Sequence, residues 1–267
     1  MKRFFIPTLT LLLSIIALDA SAWGTLGHCT IAEIAERNLT EKAKANIEKY
    51  TKGEPLSSYA MWMDHIGKDP VLGRKGATRG WHASIVDSNC QTSQELRNKH
   101  RKGRDSATGL LELEKILLDR KNQSDSVVMF ALKCAIHMVG DMHCPSHLRY
   151  TDCGNGGGFK VQYYGKEASL HSVWDWRIIQ RGRKRSSWVS YADKLDTYSK
   201  KQIKKATAGW VEDWLEDAAR DIRPTIRQVK KGDVLGKEFQ EAARPLAEME
   251  IQKSGYRLAK YLNTVFK

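Results

Sequence analysis

The sequence predicts a mainly α protein that forms a single compact helical domain, with a short β-hairpin or irregular excursion around residues 152–166. Three observations support this prediction. Apolar residues recur at intervals of three and four along much of the chain, which is the spacing of a buried helix face. Only one stretch reads as a convincing strand. No Pro-rich or Ser-rich linker divides the 267 residues, of which 41% are hydrophobic, and such a chain is globular.

The N-terminal residues 1–22 have the features of a secretion signal. A basic start precedes an apolar run over residues 4–18, and residues 20–22 (Ala-Ser-Ala) are the small residues at which a signal peptidase cuts. The run is short for a membrane-spanning helix, which needs about 20 apolar residues. An uncleaved anchor is the alternative. We therefore expect a secreted protein (extracellular or periplasmic), without stable membrane insertion, that begins at Trp23 with a free α-amine.

The remaining elements follow in order from the apolar spacing. Helices are predicted around Ile31–Ala35, Leu110–Leu117, Val127–Met138, 189–222 and 236–264. Pro145 is expected to end the third of these, because proline lacks an N–H and restricts the residue before it. The strand-like stretch Phe159–Tyr164 follows the turn-forming residues 152–158.

The charge balance is strongly basic. Lys and Arg number 44 against 31 Asp and Glu, which gives a formal net charge of +13. Such a charge favours polyanionic partners such as nucleic acid or anionic membrane surfaces. Solubility alone is the other explanation.

The cysteines indicate little about the site. Five Cys in an exported chain allow at most two disulfide bonds and leave one thiol, and the pairing is not readable. No C-x-x-C pair is present, which argues against a zinc ribbon held by thiolates.

Two pairs of the form His-x-x-x-Asp carry the strongest chemical signal. His137 and Asp141 are four residues apart, and His171 and Asp175 repeat that spacing. Residues four apart on a helix project from one face, where two ligands can hold one metal ion. A single pair is usually an ordinary helix surface, but two pairs in a chain with 8 His favour a metal site. His147, just beyond Pro145, is a further candidate.

Three other segments offer additional ligands. The amine and carbonyl of Trp23 can chelate a metal ion, because a reference pKa of about 8 lets the amine lose its proton when metal binds. His28 adds a nearby nitrogen. Asp64 and His82, each beside a tryptophan-containing segment, are weaker candidates. Taken alone, Asp64 is more often a cap or a surface charge, and His82 a buried, hydrogen-bonded histidine.

The motifs together resemble the zinc-dependent single-strand-specific nucleases and 3′-nucleotidases of the nuclease P-one/S-one type. The resemblance spans the whole chain after residue 22, and its motifs occur in the family's order. They are WGTLGH at Trp23–His28, WMD at Trp62–Asp64, WH at Trp81–His82, HMVGDMHCPSH at His137–His147 and HSVWD at His171–Asp175. The related secreted zinc phospholipase C has Glu where this chain has Asp175. The resemblance implies the helical phospholipase C/nuclease P-one fold over residues 23–267.

The resemblance also implies a site of three Zn²⁺ ions. Its ligands would be Asp64, His82, His137 and Asp141 for one zinc, Trp23 and His28 with bridging Asp141 for the second, and His147, His171 and Asp175 for the third. Asp64 and Asp141 are the expected catalytic carboxylates. A hydroxide shared by two zinc ions would attack phosphorus in line, leaving 5′-phosphates and 3′-hydroxyls. The expected substrates are single-stranded DNA and RNA and 3′-nucleotides, and we expect a monomer.

Several residues bear on how a strand is bound. Phe159, Tyr163 and Tyr164 are candidates for stacking on bases, with packing inside the hairpin as the alternative. Two basic clusters are candidates for contacting the phosphates of a strand. They are Arg181, Arg183, Lys184 and Arg185, and Lys200, Lys201, Lys204 and Lys205. The alternative is that each is an ordinary solvent-exposed face.

The chain also departs from the family pattern in its binding residues. Gly157 and Ser169 stand where the family has Asn, although Asn155 can substitute if the loop is shifted, and Cys144 stands where it usually has Gln. His143 follows the pattern as a support for the ligands. These departures leave the base preference open, whereas the residues at the metal-ligand positions match the family pattern.

Two other functions remain open at this point. One is a zinc phospholipase C, against which Asp175 and the basic charge argue. The other is a non-catalytic secreted helical protein that stores or senses zinc.

Overall fold

The computed structural model describes residues 23–155, 158–182 and 187–267, apart from the side chain of Asn155, and the secretion signal predicted for 1–22 lies outside them. Within this part the protein is mainly α, which confirms the predicted fold class. The helices are α1 Gly24–Arg37, α2 Glu41–Thr51, α3 Trp62–His65, α4 Gln94–Arg101, α5 Ser106–Leu118, α6 Asp125–Met142, α7 Leu170–Ser172, α8 Ile178–Gln180, α9 Trp188–Leu195, α10 Lys200–Ala206, α11 Val211–Gln228 and α12 Lys237–Val265. Shorter 3₁₀ turns cover Leu56–Tyr59, Arg120–Asn122 and Pro145–His147, and a π-helical turn covers Val173–Arg177.

Helix α6 lies at the centre of the protein. Every residue from Cys134 to Met142 is buried, and a helix buried on all sides belongs to the interior. It packs against α5, α12 and α1, while α1 also packs against α12 and α9. Gly255 allows the close approach of α12 to α1, because a Cβ there would lie 2.5 Å from Cγ2 of Ile34.

The helix boundaries differ from the sequence prediction in two places. Helix α6 ends at Met142, three residues before Pro145, which instead begins a 3₁₀ turn. The region 189–222 contains α9, α10 and the start of α11 rather than one helix. Ser199 and Gln202 form a capping box that starts α10 anew, which explains the break.

Two small sheets accompany the helices. In the first, β1 (Ser84–Val86) pairs in parallel with β2 (Leu148–Tyr150), which pairs with β3 (Gly154–Asn155). In the second, the antiparallel hairpin of β4 (Lys160–Tyr163) and β5 (Lys166–Ser169) is joined by β6 (Val234–Leu235). The hairpin turn, Tyr164 and Gly165, has positive φ at both positions, as a tight two-residue turn requires. The predicted hairpin is therefore present.

Two further observations concern the described residues. None of their helices combines the length and the apolar character needed to cross a bilayer. All five cysteines lie in this part of the chain and are free thiols, so the disulfide bonds that the sequence allowed are not formed.

Candidate metal centre

The centre is organised around Asp141, near the end of α6. Its carboxylate is fully buried, and one oxygen, Oδ1, lies 3.3 Å from Nε2 of His137 and 3.4 Å from Nε2 of His28. The other oxygen, Oδ2, lies 2.9 Å from Nδ1 of His82 and 3.5 Å from Nδ1 of His147. One carboxylate thus contacts histidines from four separate segments.

The parallel pairing of β1 with β2 brings two of these histidines together. Ser84 is in register with Leu148, so His82, two residues before β1, lies beside His147, just before β2. The Nδ1 of His147 also hydrogen-bonds the backbone carbonyl of His82. Residues 65 positions apart in the sequence are therefore held side by side by a strand register.

Helices α1 and α3 supply the next two side chains. His28 of α1 is fully buried and stacks on the ring of His137 at 4.1 Å. It passes over Gly140, where an added Cβ would lie 2.8 Å from Nδ1 of His28, so only glycine leaves room for the ring. Asp64 of α3 lies 3.7 Å (Oδ2) from Nε2 of His137, and Arg74 donates a hydrogen bond of 2.8 Å to its other oxygen.

The third group of side chains lies on less regular structure. His171 is in the three-residue helix α7 and Asp175 in the π-helical turn that follows, with Nε2 and Oδ2 2.9 Å apart. π-Helical turns are rare and occur often at functional sites. Ser146 donates a hydrogen bond of 2.5 Å to Oδ1 of Asp175, and the Cys144 thiol lies 3.8 Å from the same oxygen.

Trp23 lies at the start of α1, against the same helix. Its indole is buried, and Nε1 donates a hydrogen bond of 3.0 Å to the carbonyl of Gly140. Its backbone adopts a left-handed conformation (φ 51°), which is uncommon for a residue with a side chain.

The eight predicted side-chain ligands fit a metal. Each has a buried nitrogen or oxygen with no hydrogen-bond partner: Nδ1 and Nε2 of His28, Oδ2 of Asp64, Nε2 of His82, Nε2 of His137, Oδ1 of Asp141, Nε2 of His147, Nε2 of His171 and Oδ2 of Asp175. Tetrahedral zinc with donors about 2.1 Å away would space those donors about 3.4 Å apart. The separations of 3.3 and 3.4 Å around Oδ1 of Asp141 match that spacing.

The donor atoms form three groups that could each hold a metal ion. They are His28, His137 and Asp141; Asp64, His82 and His137; and His147, His171 and Asp175. Nitrogen and oxygen donors without thiolate are compatible with zinc. His137 belongs to two of the groups, whereas the resemblance gives the shared position to Asp141.

The charges of the centre shift the pKa of several groups. Burial opposes a charge on His137, but Asp141 and Asp64 outweigh it and raise its pKa to about 9. Burial likewise opposes ionisation of Asp141, yet His137 and His147 hold its pKa well below the usual range. Burial lowers the pKa of His28 and of His82, so these two are neutral at pH 7, which is the form that binds metal.

The predicted strand-binding residues have different environments. Tyr163 is 4% exposed and its hydroxyl donates to Gln240, which agrees with the alternative of packing inside the hairpin, although Tyr163 also lines the cavity described next. Phe159 is half-buried against the core. Tyr164 lies beneath the guanidinium of Arg181, 3.2 Å from the ring centre. It lines a 560 Å³ cavity together with Arg177 and with Trp176, the residue that follows Asp175 in the chain.

Other predicted residues are exposed, support nearby helices or lie outside the described part. The lysines Lys200, Lys201, Lys204 and Lys205 are exposed along α10. His143 hydrogen-bonds Val139 and Arg257, which ties the end of α6 to α12. Ser169 caps α7. Gly157, Arg183, Lys184, Arg185 and the side chain of Asn155 are not described.

Sequence reasoning missed Arg74, Gly140 and Ser146, which contact the ligands Asp64, His28 and Asp175. Gly140 and Ser146 lie inside the motif His137–His147, so their proximity to the ligands was a usable signal. Arg74 lies ten residues after Asp64 in an irregular segment, and no sequence pattern connects the two.

Comparison with known proteins extends these observations. A family model described as S1/P1 Nuclease matches residues 23–267. Nuclease S1 of Aspergillus oryzae is 28% identical over 271 residues, covering 91% of each chain. Endonuclease 2 of Arabidopsis thaliana is 26% identical over 275 residues, covering 94% of this chain and 92% of its own. Nuclease P1 of Penicillium citrinum is 25% identical over 280 residues, covering 91% and 97%.

Proposed function

The chain belongs to the S1/P1 nuclease family, and on that premise we propose that it is a secreted, zinc-dependent enzyme that cleaves single-stranded DNA and RNA and also dephosphorylates 3′-nucleotides. Members of the family are endonucleases, so the chain is a hydrolase of phosphodiester bonds with nucleic acid as its substrate. The observation that carries the finer proposal is the convergence of eight side chains with unpaired, buried donor atoms.

The proposed metal ligands are the same donors grouped as the resemblance implies, with Asp141 rather than His137 shared between two zinc ions. Asp64, His82 and His137 would hold one zinc, with Asp141 shared between it and a second zinc held by His28 and the amine and carbonyl of Trp23. His147, His171 and Asp175 would hold the third. Zinc, when bound, supplies Lewis acidity that activates water and stabilises negative charge on the phosphoryl group.

Neighbouring side-chain and backbone groups hold the proposed ligands in position by hydrogen bonds. Arg74 donates a hydrogen bond to Asp64, which favours the ionised carboxylate. Burial opposes ionisation of Asp64, but the charge of His137 outweighs it and holds the pKa of Asp64 below its usual value. The backbone carbonyl of Ala60 accepts a hydrogen bond of 2.8 Å from Nδ1–H of His137, which leaves Nε2 as the nitrogen that can bind metal. The hydroxyl of Ser146 orients Asp175 by donating a hydrogen bond to Oδ1 of its carboxylate.

The cavity lined by Tyr164 and Trp176 supports a single-stranded substrate. Its lining combines aromatic surface from Tyr164 and Trp176 with the positive charges of Arg177 and Arg181. Unpaired bases stack on aromatic rings and on guanidinium groups, while a base inside a duplex does not expose its face. We propose this cavity as a place for an unpaired base.

The test is hydrolysis by the purified, zinc-supplemented protein. We expect it to cleave single-stranded DNA and RNA to 5′-phosphorylated products, to release phosphate from 3′-AMP, and to act much more slowly on duplex DNA. Hydrolysis of phosphatidylcholine micelles with single-stranded DNA and 3′-AMP left intact would contradict the proposal and favour a phospholipase C. Zinc binding without any hydrolysis would indicate a storage or sensing protein.

A further inference from the structure

A basic pocket lies close in the chain to His82, since Arg79 and Gly80 contribute to it. It has a volume of about 410 Å³ and is lined by Arg79, Gly80, His100, Arg101, Lys102 and Arg104. Its size is that of a small-molecule or subsite pocket rather than a flat surface. No acidic side chain is among the residues that line it.

The pocket is built around two half-buried arginines. Nη2 of Arg101 donates to the carbonyls of Gly80 (2.7 Å) and Ala83 (3.3 Å), and Nη2 of Arg104 donates to Ala77 (2.9 Å). In each guanidinium, Nε is buried and has no hydrogen-bond partner among the described residues. The two groups therefore hold the chain on both sides of His82 and still leave N–H donors unused.

The positive charge of the pocket is not neutralised locally. Burial lowers the pKa of Arg101, and the nearby charge of Arg149 lowers it further, with only Asp105 opposing. Asp105 itself caps α5 through Thr108 and lies 3.9 Å from Arg97. Arg79 and Lys102 are exposed, and the side chain of neither has a hydrogen bond or an ion pair within the part of the chain that the structure describes.

The pocket is close to the metal centre along the chain. Gly80 lines the pocket, and His82, two residues later, contacts Asp141. The Cα atoms of Gly80 and His82 therefore lie no more than about 7.6 Å apart. A strand whose phosphodiester is held at the centre would bring a neighbouring phosphate to this pocket. A concave site fits a phosphate of such a strand better than it fits a membrane surface.

We propose that this basic pocket is a phosphate subsite that binds the backbone of the substrate strand within a few nucleotides of the bond that is cleaved. The proposal rests on the proposed function, because it assigns a second contact to the same nucleic-acid substrate. Cationic grooves that follow the backbone are the general means of binding single strands without sequence preference.

The experiment compares two double variants that each remove two positive charges. Arg79→Gln/Lys102→Gln removes the exposed charges of the pocket and leaves Arg101 and Arg104, which support the chain around His82. Lys42→Gln/Lys52→Gln is the control, since Lys52 and Lys102 are both exposed residues with φ 54° that end a helix. Binding of fluorescein-labelled dT12 to metal-depleted protein is followed by anisotropy over a range of salt concentrations.

We expect the pocket variant to bind dT12 about five- to twentyfold more weakly than wild type at 0.1 M salt, and the control to bind as wild type does. The slope of log K against log salt should fall in magnitude by about 1.4, or about 0.7 for each lost phosphate contact. With zinc, KM for dT12 should rise while kcat is unchanged, and hydrolysis of the dinucleotide TpT should be unaffected, because TpT is too short to fill both sites.

Equal binding of dT12 by the two double variants would overturn the proposal. Equal losses on dT12 and TpT would also overturn it, because they would place the pocket at the reacting nucleotide. Loss of binding to phosphatidylserine vesicles with dT12 binding retained would assign the pocket to a membrane surface instead. Failure of the proposed function is distinguishable, because zinc-loaded wild type would then cleave no single strand, whatever the binding measurements give.

Discussion

The inner and outer groups of the centre are held by different kinds of structure. The inner group, His28, His137 and Asp141, lies on the long helices α1 and α6, and all three side chains are fully buried. The outer group, His147, His171 and Asp175, lies on a 3₁₀ turn, a three-residue helix and a π-helical turn, and the side chain of His171 is 24% exposed.

The two groups also differ in what orients the ligands. In the inner group, His137 is oriented by the backbone carbonyl of Ala60, which no substitution removes. In the outer group, Asp175 depends on the hydroxyl of Ser146. In the inner group the orienting contact thus belongs to the backbone. In the outer group the backbone carbonyl of His82 holds His147, but Asp175 relies on a side chain that can be changed. The following predictions test this difference.

The largest effect is expected for removal of the shared carboxylate. Asp141→Asn should lower kcat/KM on single-stranded DNA by about 10³-fold or more, because this residue contacts four histidines. Asp175→Asn should cost about 10²-fold, because it affects only the outer group. Zinc content per protein, measured by elemental analysis, should fall from three toward one for Asp141→Asn and toward two for Asp175→Asn.

Circular dichroism of both asparagine variants would establish that each is folded before its activity is compared. Equal losses of activity and of zinc in the two variants would contradict the division into an inner and an outer group.

An intermediate effect is expected for Ser146→Ala. Loss of its hydrogen bond to Asp175 frees the carboxylate to rotate. The affinity for the zinc held by the outer group and kcat/KM should therefore each fall by about tenfold. Zinc affinity is measured by competition with a chelator, and Ser146→Thr, which keeps the hydroxyl, should restore it.

Ser172→Ala is the matched control for this serine. Its hydroxyl donates to the carbonyl of Ser169 in the same part of the chain rather than to Asp175. If the alanine variants at 146 and 172 had the same zinc affinity, Ser146 would have no positioning role.

The smallest effect is a pH dependence of the metal-free protein. Since the pKa of His137 rises from 6.5 to about 9 on folding, its stabilising contribution is complete below pH 6.5 and is lost as the pH rises through 9. The melting temperature of the EDTA-treated protein should therefore fall by about 3 °C or more between pH 7 and pH 9. Zinc, which requires neutral His137, should stabilise the protein more at pH 9 than at pH 7.

Glu250 contributes to the same pH range and needs a control. Burial raises its pKa to about 8, so its stabilising contribution is also lost as the pH rises toward 8. Glu250→Gln removes this contribution and isolates that of His137. A melting temperature that stays constant from pH 7 to pH 9 in metal-free Glu250→Gln would contradict the assignment to His137.

Much of the fold and of the donor set could be predicted from local patterns. The helical spacing indicated α1, α5, α6 and α12, and the turn residues indicated the hairpin of β4 and β5. The spacing of His137 and Asp141 placed them on one helix face. The basic pocket had a signal too, since Arg97, Lys99, His100, Arg101, Lys102 and Arg104 are clustered in the sequence. A run of charges is usually a solvated face, so the cluster alone does not predict a pocket.

Other features could not be read from local patterns. The burial of Tyr163 depends on the hydrogen bond between its hydroxyl and Gln240, 77 residues away. The π-helical turn at Asp175 has no sequence signature, and the contact of Ser146 with Asp175 joins residues 29 positions apart. Each of these depends on how separate elements pack.

The sequence by itself determined which residues can bind metal and how neighbouring ones share a helix face, because a helix is set by hydrogen bonds between residues four apart. Only the tertiary structure decided that His82 meets Asp141, 59 residues away, and that Trp23 reaches Gly140, 117 residues away. Those contacts arise from the register of β1 on β2 and from the burial of α6 among its neighbours. Packing of that kind depends on the whole chain at once, and no short segment encodes it.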